Sequence, residues 1–368
     1  MKRLFHAVLV RFYLQISLAS IFFVAQIHAS ELKLPEAVSN NAVAVASVGG
    51  ELTLFSFNGL GAGKTYQDIH GKAFSVNLKT KKVNPIASLP DGLGRLASIA
   101  VTLNNRILVI GGYTVAKDHT EISTSQVFEY FPLENKYQKI SDMPVPVDDT
   151  VAFIYQQRYV YLVSGWHDTG NVNLVQVFDS KEMRWFNATP FPGAPVFGHA
   201  GGIVGNKFLI VDGVKVNRVV DGKREYGPSN ENWYAEIDKN DPSVILWKQI
   251  PKHPFEPLYR MASIGLANSQ QVVFAGGSDN PYNYNGIGYD GVASKPSSKI
   301  FSFDFKKFRW QSHGLLASPS MDHRGLLMAD DSAYIVGGMG KEQKVLDAIQ
   351  KIDLSQIVSG LTIGKEIK

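Results

Sequence analysis

Short apolar runs recur along the chain, and each ends in a pair of small residues. They are Leu54-Phe55-Ser56-Phe57-Asn58-Gly59, Leu108-Val109-Ile110-Gly111-Gly112, Tyr161-Leu162-Val163-Ser164-Gly165, Leu209-Ile210-Val211-Asp212-Gly213, Val273-Phe274-Ala275-Gly276-Gly277 and Tyr334-Ile335-Val336-Gly337-Gly338. A variable loop follows each run, then an alternating stretch such as Val175 to Asp179, Trp233 to Asp238 or Ile300 to Asp304. A further stretch carries an aromatic and runs toward proline, as in Tyr137 to Pro144, Trp185 to Pro192 and Trp247 to Pro251; Trp310 opens another, with Pro319 farther on. A small-residue stretch precedes each pair, for instance Leu96 to Leu103 or Met261 to Ala267. Alternation with a period of two places one set of side chains on each face of a strand, so each unit predicts four half-buried antiparallel strands.

Six such units at a spacing of about 50 residues are the sequence mark of a ring of blades. The Gly-Gly pair, the aromatic-Asp pair and the Trp before a proline-ended strand resemble the kelch repeat over roughly residues 32 to 354. That resemblance implies an all-β fold, a six-bladed kelch-type β-propeller with four antiparallel strands per blade. The first unit departs at Asn58-Gly59 and at Val83, the third at Ser164-Gly165 and the fourth at Asp212-Gly213. The last unit has three evident strands, ending with Ile349 to Leu354. Its outer strand is expected from Leu32-Lys33-Leu34-Pro35, with Ser355 to Lys368 as the alternative; closure of this kind hides sheet edges.

Ahead of the repeats, Lys2 and Arg3 precede an apolar stretch from Leu14 to Ile27 that runs into His28-Ala29. This order of basic, apolar and small residues predicts a secretory signal over residues 1–29, cleaved after Ala29, with residues 30–368 forming a single propeller domain. Retention as an anchor is the alternative, although the apolar part is short for a span. No later segment approaches a membrane span. The 368 residues contain no cysteine, which removes disulfides and thiol chemistry and points to a Gram-negative periplasm, or secretion beyond the cell. A net charge of +4, spread along the chain with no basic run between aromatics, argues against nucleic acid as a partner.

In a four-stranded antiparallel blade, the loop after the second strand and the start of the first emerge at one mouth of the ring. Counting back from each glycine pair sets Asn41, Arg95, Asp148 and Asp149, His199, Arg260 and Arg324 around it. Arginine presents a planar fork suited to carboxylate or phosphate, so Arg95, Arg260 and Arg324 suggest an acidic ligand. Pairing with Asp148 and Asp149 to tie blades together is the plainer use. Three long loops share the mouth: Leu60 to Lys72, the charged Val214 to Asn232 with Arg218, Arg224 and Glu225, and a fifth-unit loop from Ser278 to Gly291 containing Tyr284, Asn285 and Tyr289. Tyr, Asn and Gly suit a sugar, whose ring stacks on aromatic faces while amides read its hydroxyls. His167, His199, His253, His313 and His323 lack the close spacing of a metal cluster, so neither metal nor cofactor is expected; His199 and His323 read as hydrogen-bonding groups of the mouth.

The stretch from Tyr284-Asn285-Gly286 to Tyr289-Asp290-Gly291, with Arg324 in the last unit, is similar to the bacterial N-acetylneuraminate epimerase (sialic acid mutarotase) family. That resemblance implies an exported, single-domain propeller that interconverts the anomers of a sugar acid. The family places a Glu directly after the small pair of the fourth unit as proton acceptor, with an Arg later; here Val214 follows Asp212-Gly213. Arg218 or Arg224 could stand for the Arg and Glu225 for the Glu. Opening a hemiacetal needs one base and one acid, and Glu225 with His199 is the pair expected for that work. Ligand binding is assigned to Arg95, Asp149, Arg218, Arg260, Tyr284, Asn285, Tyr289, His323 and Arg324. The competing reading is a non-catalytic propeller that grips a glycan or an envelope protein, since the fold serves both. The copper-radical sugar oxidases need a tyrosine cross-linked to cysteine, and sialidases need repeated Ser-x-Asp-x-Gly-x-x-Trp turns; the chain has neither.

Overall fold

The computed structural model describes residues 32 to 358; the expected signal over residues 1–29 and the tail beyond residue 358 lie outside them. Five four-stranded antiparallel sheets follow one another in chain order, and a three-stranded sheet completes six blades. Blade 2 is representative, with strands Ile99–Leu103, Arg106–Ile110, Gln126–Phe131 and Lys136–Asp142. The innermost strands of the six blades surround an apolar channel of about 280 Å³, lined by residues such as Val43, Ile99, Ile154, Ile203, Ile264 and Leu326. Among the described residues no helix is long and apolar enough to cross a membrane.

The last blade contributes Leu327–Ala329, Ser332–Val336 and Ile349–Asp353. Residues 32–34 run antiparallel to its third strand: Lys33 bridges Ala348, Leu34 N–H donates to Asp347 O at 2.8 Å, and Ile349 N–H donates to Leu32 O at 2.9 Å. Leu34 is buried with Val336 and Ile349 in one cluster, so this pairing covers both the sheet edge and its apolar face. Ser355–Val358 is a short helix whose Ile357 packs into another cluster with Ile352 and Leu354.

Alternation gives each blade two apolar faces, and the core lies between neighbouring blades. Phe153 and Tyr161 of blade 3 pack with Phe208 and Trp247 of blade 4. The aromatic of the outermost strand also ties each of blades 2 to 5 to the one before it. Trp185 Nε1 donates to Ser141 Oγ at 2.8 Å, Trp247 Nε1 to Thr189 O at 3.4 Å and Trp310 Nε1 to Pro251 O at 2.8 Å. Tyr137 does the same in blade 2, its hydroxyl donating to Ala87 O at 2.9 Å. A ring large enough to fill the wedge between blades, with a polar tip to reach the neighbour's backbone, explains why aromatics recur there.

Both residues of every small pair have positive φ. The first members are Asn58 (56°), Gly111 (57°), Ser164 (56°), Asp212 (58°), Gly276 (68°) and Gly337 (68°), while the second is glycine throughout, from 90° at Gly112 to 123° at Gly59. A Cβ on Gly213 would stand 2.7 Å from His199 Cβ, and one on Gly165 would stand 2.8 Å from Asp148 O, so only glycine fits the second place. The first place is an ordinary left-handed position that Asn, Ser and Asp tolerate, which accounts for the three departures. Ser164 uses its hydroxyl there: Oγ lies 2.8 Å from both Val172 O and Val196 O and accepts from Val196 N–H at 2.9 Å. Asn58 is 1% exposed and both polar atoms of its side chain lack a protein partner. Asn58→Gly is therefore expected to stabilise the protein by about 1 kcal/mol, by relieving the left-handed side chain and removing two unmet polar atoms. The urea midpoint should rise; a fall would show that an ordered water holds Asn58.

Candidate functional site

A belt of hydrogen bonds closes the ring at the mouth. Ser39, Leu96, Asp148, Phe197, Tyr259 and Met321 each bridge the loop after their own blade's second strand. The residue after each has positive φ: Asn40 (54°), Ala97 (53°), Asp149 (52°), Gly198 (59°), Arg260 (53°) and Asp322 (68°). Asn40 N–H donates to Asp322 O (3.1 Å), Asp149 N–H to Ala97 O (3.3 Å), Gly198 N–H to Asp149 O (2.8 Å), Arg260 N–H to Gly198 O (2.8 Å) and His323 N–H to Arg260 O (3.1 Å). Ala97 N–H completes the circuit on Asn40 Oδ1 at 3.1 Å. This register corrects the expected set of equivalent arginines. Arg260 occupies the belt position, Arg95 stands two residues before it and Arg324 two after, because the span from belt to small pair differs between blades: Ala97 to Gly111, Arg260 to Gly276 and Asp322 to Gly337.

The three arginines accordingly do different things. Arg260 Nη1 donates to Asp322 Oδ1 at 2.8 Å and to Asn283 O at 2.9 Å, and its Nε and Nη2 hold Asp149. Arg324 Nη1 pairs with Asp149 and its Nε donates to Asn40 Oδ1 at 2.6 Å. Arg95 is turned away to Asp91, Gln126 and Gly111 O, with its guanidinium over the Phe128 ring. Burial alone would raise the Asp149 carboxyl, but Arg260 and Arg324 outweigh it and hold it at about 2. The mouth thus carries a buried, self-neutralising network of two acids and two guanidiniums.

Beside it opens a cavity of about 350 Å³ lined by Tyr113, His119, Glu121, Ser123, Asp148, Trp166, Asp168, Arg224, Tyr226 and Asn283. A smaller adjoining recess reaches Asp149, Arg260 and Tyr289. Three hairpins build most of the wall: Tyr113–Val115 with Glu121–Ser123, Trp166–His167 with Gly170–Asn171, and Val214–Val220 with Lys223–Pro228. The fifth-blade loop supplies Asn283, whose Nδ2 donates to Glu121 Oε1 and whose Oδ1 accepts from the Tyr113 hydroxyl at 3.3 Å. Ser123 Oγ donates to Asp148 Oδ2 at 2.6 Å. Tyr226 and Tyr289 stack with centroids 4.2 Å apart. Arg224 lies over the Trp166 ring at 5.2 Å and donates to Thr169 O at 2.7 Å.

Two carboxyls in this cavity are displaced from ordinary behaviour. Burial pushes Asp148 well above the usual carboxylate range, the charge of Asp149 adds to this, and the Ser123 hydroxyl opposes it. Burial also raises Glu121, against the amide of Asn283 and the charge of Arg260. A buried acid that holds its proton beside one that releases it more readily can donate and accept protons across a bound molecule.

The residues expected from sequence are only partly brought together here. Asp149, Arg260 and Tyr289 line the recess, and Arg324 stands behind it through Asp149. Tyr284 is 9% exposed with its hydroxyl 3.2 Å from His119 Nδ1, and Asn285 Oδ1 accepts from Ile287 N–H at 3.0 Å within its own loop. Glu225 forms an exposed ion pair with Arg218 at 2.6 Å. His199, 4% exposed, donates Nε2–H to Val163 O at 2.9 Å. Glu225 and His199 are thus engaged separately, and neither lines the cavity. The reason is strand alternation: on the Lys223–Pro228 strand Arg224 and Tyr226 face the cavity, which turns Glu225 away from it. Glu121, His119, Tyr113, Trp166 and Asn283 were not anticipated. Alternation of Tyr113-x-Val115 and Glu121-x-Ser123 around a turn was the available signal.

His199 and His323 are both 4% exposed, and burial lowers each to about 4. His199 Nδ1 has no partner, so protonation would bury an unmet N–H. Below 6.5 the unfolded chain takes up protons that the folded chain refuses, so stability is complete above pH 6.5 and falls as the pH drops toward 4. Each histidine contributes on the order of 3 kcal/mol to that loss. Asp148 has the opposite sign, since its folded form holds a proton that the unfolded chain releases as pH rises above the ordinary carboxylate range. Urea midpoints at pH 7.5 and 4.5 should differ strongly, and His199→Gln should reduce the difference; an unchanged difference would show that His199 is not its source.

Six sheets around a channel, left-handed small pairs and blade-linking aromatics define a six-bladed kelch-type β-propeller with a polar pocket at one mouth. No protein-family model matches the chain. It is similar to the N-acetylneuraminate epimerase of Salmonella typhimurium, 22% identical over 325 residues that cover 75% of this chain and 80% of that protein. Kelch-like protein 15 of Gallus gallus is 29% identical over 129 residues, covering 35% of this chain; the chain spans 26% of that relative's length. Among solved structures, that of YjhT superimposes with a TM-score of 0.68 at 15% identity, over 86% of this chain and 95% of the other, a likeness of fold.

Proposed function

We propose that the protein binds a sugar in the mouth cavity and interconverts its anomers. The observation that carries this reading is the presence of the buried carboxyl of Asp148 and the half-buried carboxyl of Glu121 on one cavity of sugar-monomer size with aromatic walls. Asp148, holding its proton, gives it to the ring oxygen while Glu121 takes the proton of the anomeric hydroxyl. The bond from the anomeric carbon to the ring oxygen breaks and a carbonyl forms. Rotation and reclosure, with both protons returned, deliver the other anomer and leave each acid as it began. The similarity to N-acetylneuraminate epimerases supports the class of reaction. Export through residues 1–29 to the periplasm belongs to the same proposal.

The test is saturation-transfer NMR between the anomeric protons of reducing sugars, with and without protein. Acceleration that tracks protein concentration supports the proposal. Binding without acceleration would leave a carbohydrate-binding propeller. A second reading, a propeller that grips an envelope protein, draws on apolar side chains carried by the mouth loops: Ile122 is 52% exposed, Val219 60% and Val292 58%. Saturation of the pocket by a sugar with no effect on capture of that protein would separate the two.

A further inference from the structure

The apolar channel inside the ring ends on a charged group. Its walls begin beyond the belt, with Ile99 two residues after Ala97 and Val151 two after Asp149, and none of its residues lines either mouth cavity. Arg324 belongs to that wall and is 8% exposed, and its Nη2 has no partner among the described residues. Nε and Nη2 form one edge of a guanidinium, an edge that can grip a carboxylate side-on. Here Nε donates to Asn40 Oδ1 at 2.6 Å, and the amide Nδ2 of Asn40, a residue 1% exposed, also lacks a partner. Two unmet donors thus belong to side chains that touch, and a buried donor without an acceptor is costly. The charges are also unevenly shared. Arg260 holds both Asp149 and Asp322, whereas Arg324 has only a share of Asp149. The hydroxyls of the wall, Thr102 and Ser263, are committed to Val45 O and to the backbone of Gly201, and the rest of the wall is glycine or apolar.

We propose that the channel binds an alkyl carboxylate of medium chain length, its carboxylate accepting from Arg324 Nη2 and Asn40 Nδ2 and its chain lying along the aliphatic walls. The guanidinium supplies the charge-assisted hydrogen bond and the apolar lining takes the chain out of water. The volume of about 280 Å³ admits one such molecule. The belt and its buried ion network stand between the channel and the mouth, so this ligand enters from the opposite face. The site is separate from the sugar-binding reading above and does not depend on it.

Calorimetric titration of the protein at pH 7 with octanoate, octanol and octylammonium tests it. Octanoate is expected to bind about tenfold more tightly than octanol, the scale of a hydrogen bond to a charged group, and octylammonium not to bind. From butyrate through hexanoate to octanoate, affinity should rise about fourfold for each added CH₂. Arg324→Lys keeps the charge but loses the fork, and should bring octanoate down to the level of octanol. Gly325→Leu leaves the ion network in place and carries the test should Arg324→Lys unfold. The backbone at Gly325 is not left-handed, and beyond its chain neighbours a Cβ would meet only Val43 Cγ2, at 3.3 Å, so a longer side chain can enter the channel. That variant should lose octanoate and octanol together. Octanoate bound no more tightly than octanol, octanoate binding that persists in Gly325→Leu, or no octanoate binding to the parent protein would each overturn the inference.

Discussion

Arg260→Leu is expected to cost about 3–5 kcal/mol of stability, the scale seen when one partner is removed from a buried ion network. The guanidinium is 2% exposed and serves three acceptors at once: Asp149, Asp322 and the carbonyl of Asn283. It also lies 4.6 Å from the Tyr259 ring centroid and 5.3 Å from that of Tyr282. Leucine can replace some of this packing and none of the charge. Asp149 would keep Arg324, but Asp322 would lose its only ion-pair partner among the described residues while remaining fully buried. Adding Asp322→Asn to Arg260→Leu should recover part of the loss, a coupling that a double-mutant cycle reads directly. Arg218→Ala is the contrast, because its pair with Glu225 is exposed and should leave the urea midpoint unchanged. A loss in Arg260→Leu no larger than that of an ordinary surface change would show that the network is not what locks the mouth.

The same arginine shows what could and could not be read from the sequence. Blade number, strand order and the left-handed pairs are local properties, written as alternation and small residues, and Asn58, Ser164 and Asp212 fit them because the first place needs only tolerance of positive φ. The mouth depends instead on register between blades. The span from the belt residue to the glycine pair differs from blade to blade, so counting back from the glycine pair put Arg95 and Arg324 in line with Arg260, from which the belt separates them by two residues in opposite directions. The cavity is less legible still. Lys117-Asp118-His119-Thr120-Glu121 reads as a solvated turn until Asn283, 162 residues away, reaches Glu121. In Val214 to Asn232 the charges were visible, but a bulge between Val216 and Arg218 and the alternation beyond it decide that Arg224 faces inward while Glu225 meets Arg218.

Glu121→Gln is expected to slow anomer exchange by about 10²- to 10⁴-fold, the usual worth of a positioned general base, with the melting curve close to that of the parent. Glutamine preserves the shape and can still meet Asn283, so the loss isolates proton transfer from packing. The pH dependence gives the more discriminating measurement. Glu121 acts as a base only when ionised, so the rate should fall as pH drops through its folded pKa, which burial holds above the ordinary carboxylate value. The amide of Asn283 opposes that rise by donating to the charged form. Asn283→Ala removes this donor, and the acid limb should move to higher pH while the rate on the plateau changes less. Asp148→Asn should remove the alkaline limb, because the acid that protonates the ring oxygen no longer titrates. If Glu121→Gln retained full exchange activity with its binding unchanged, the base would have to be sought elsewhere in the cavity, where Asp168 and His119 are among the groups on its wall.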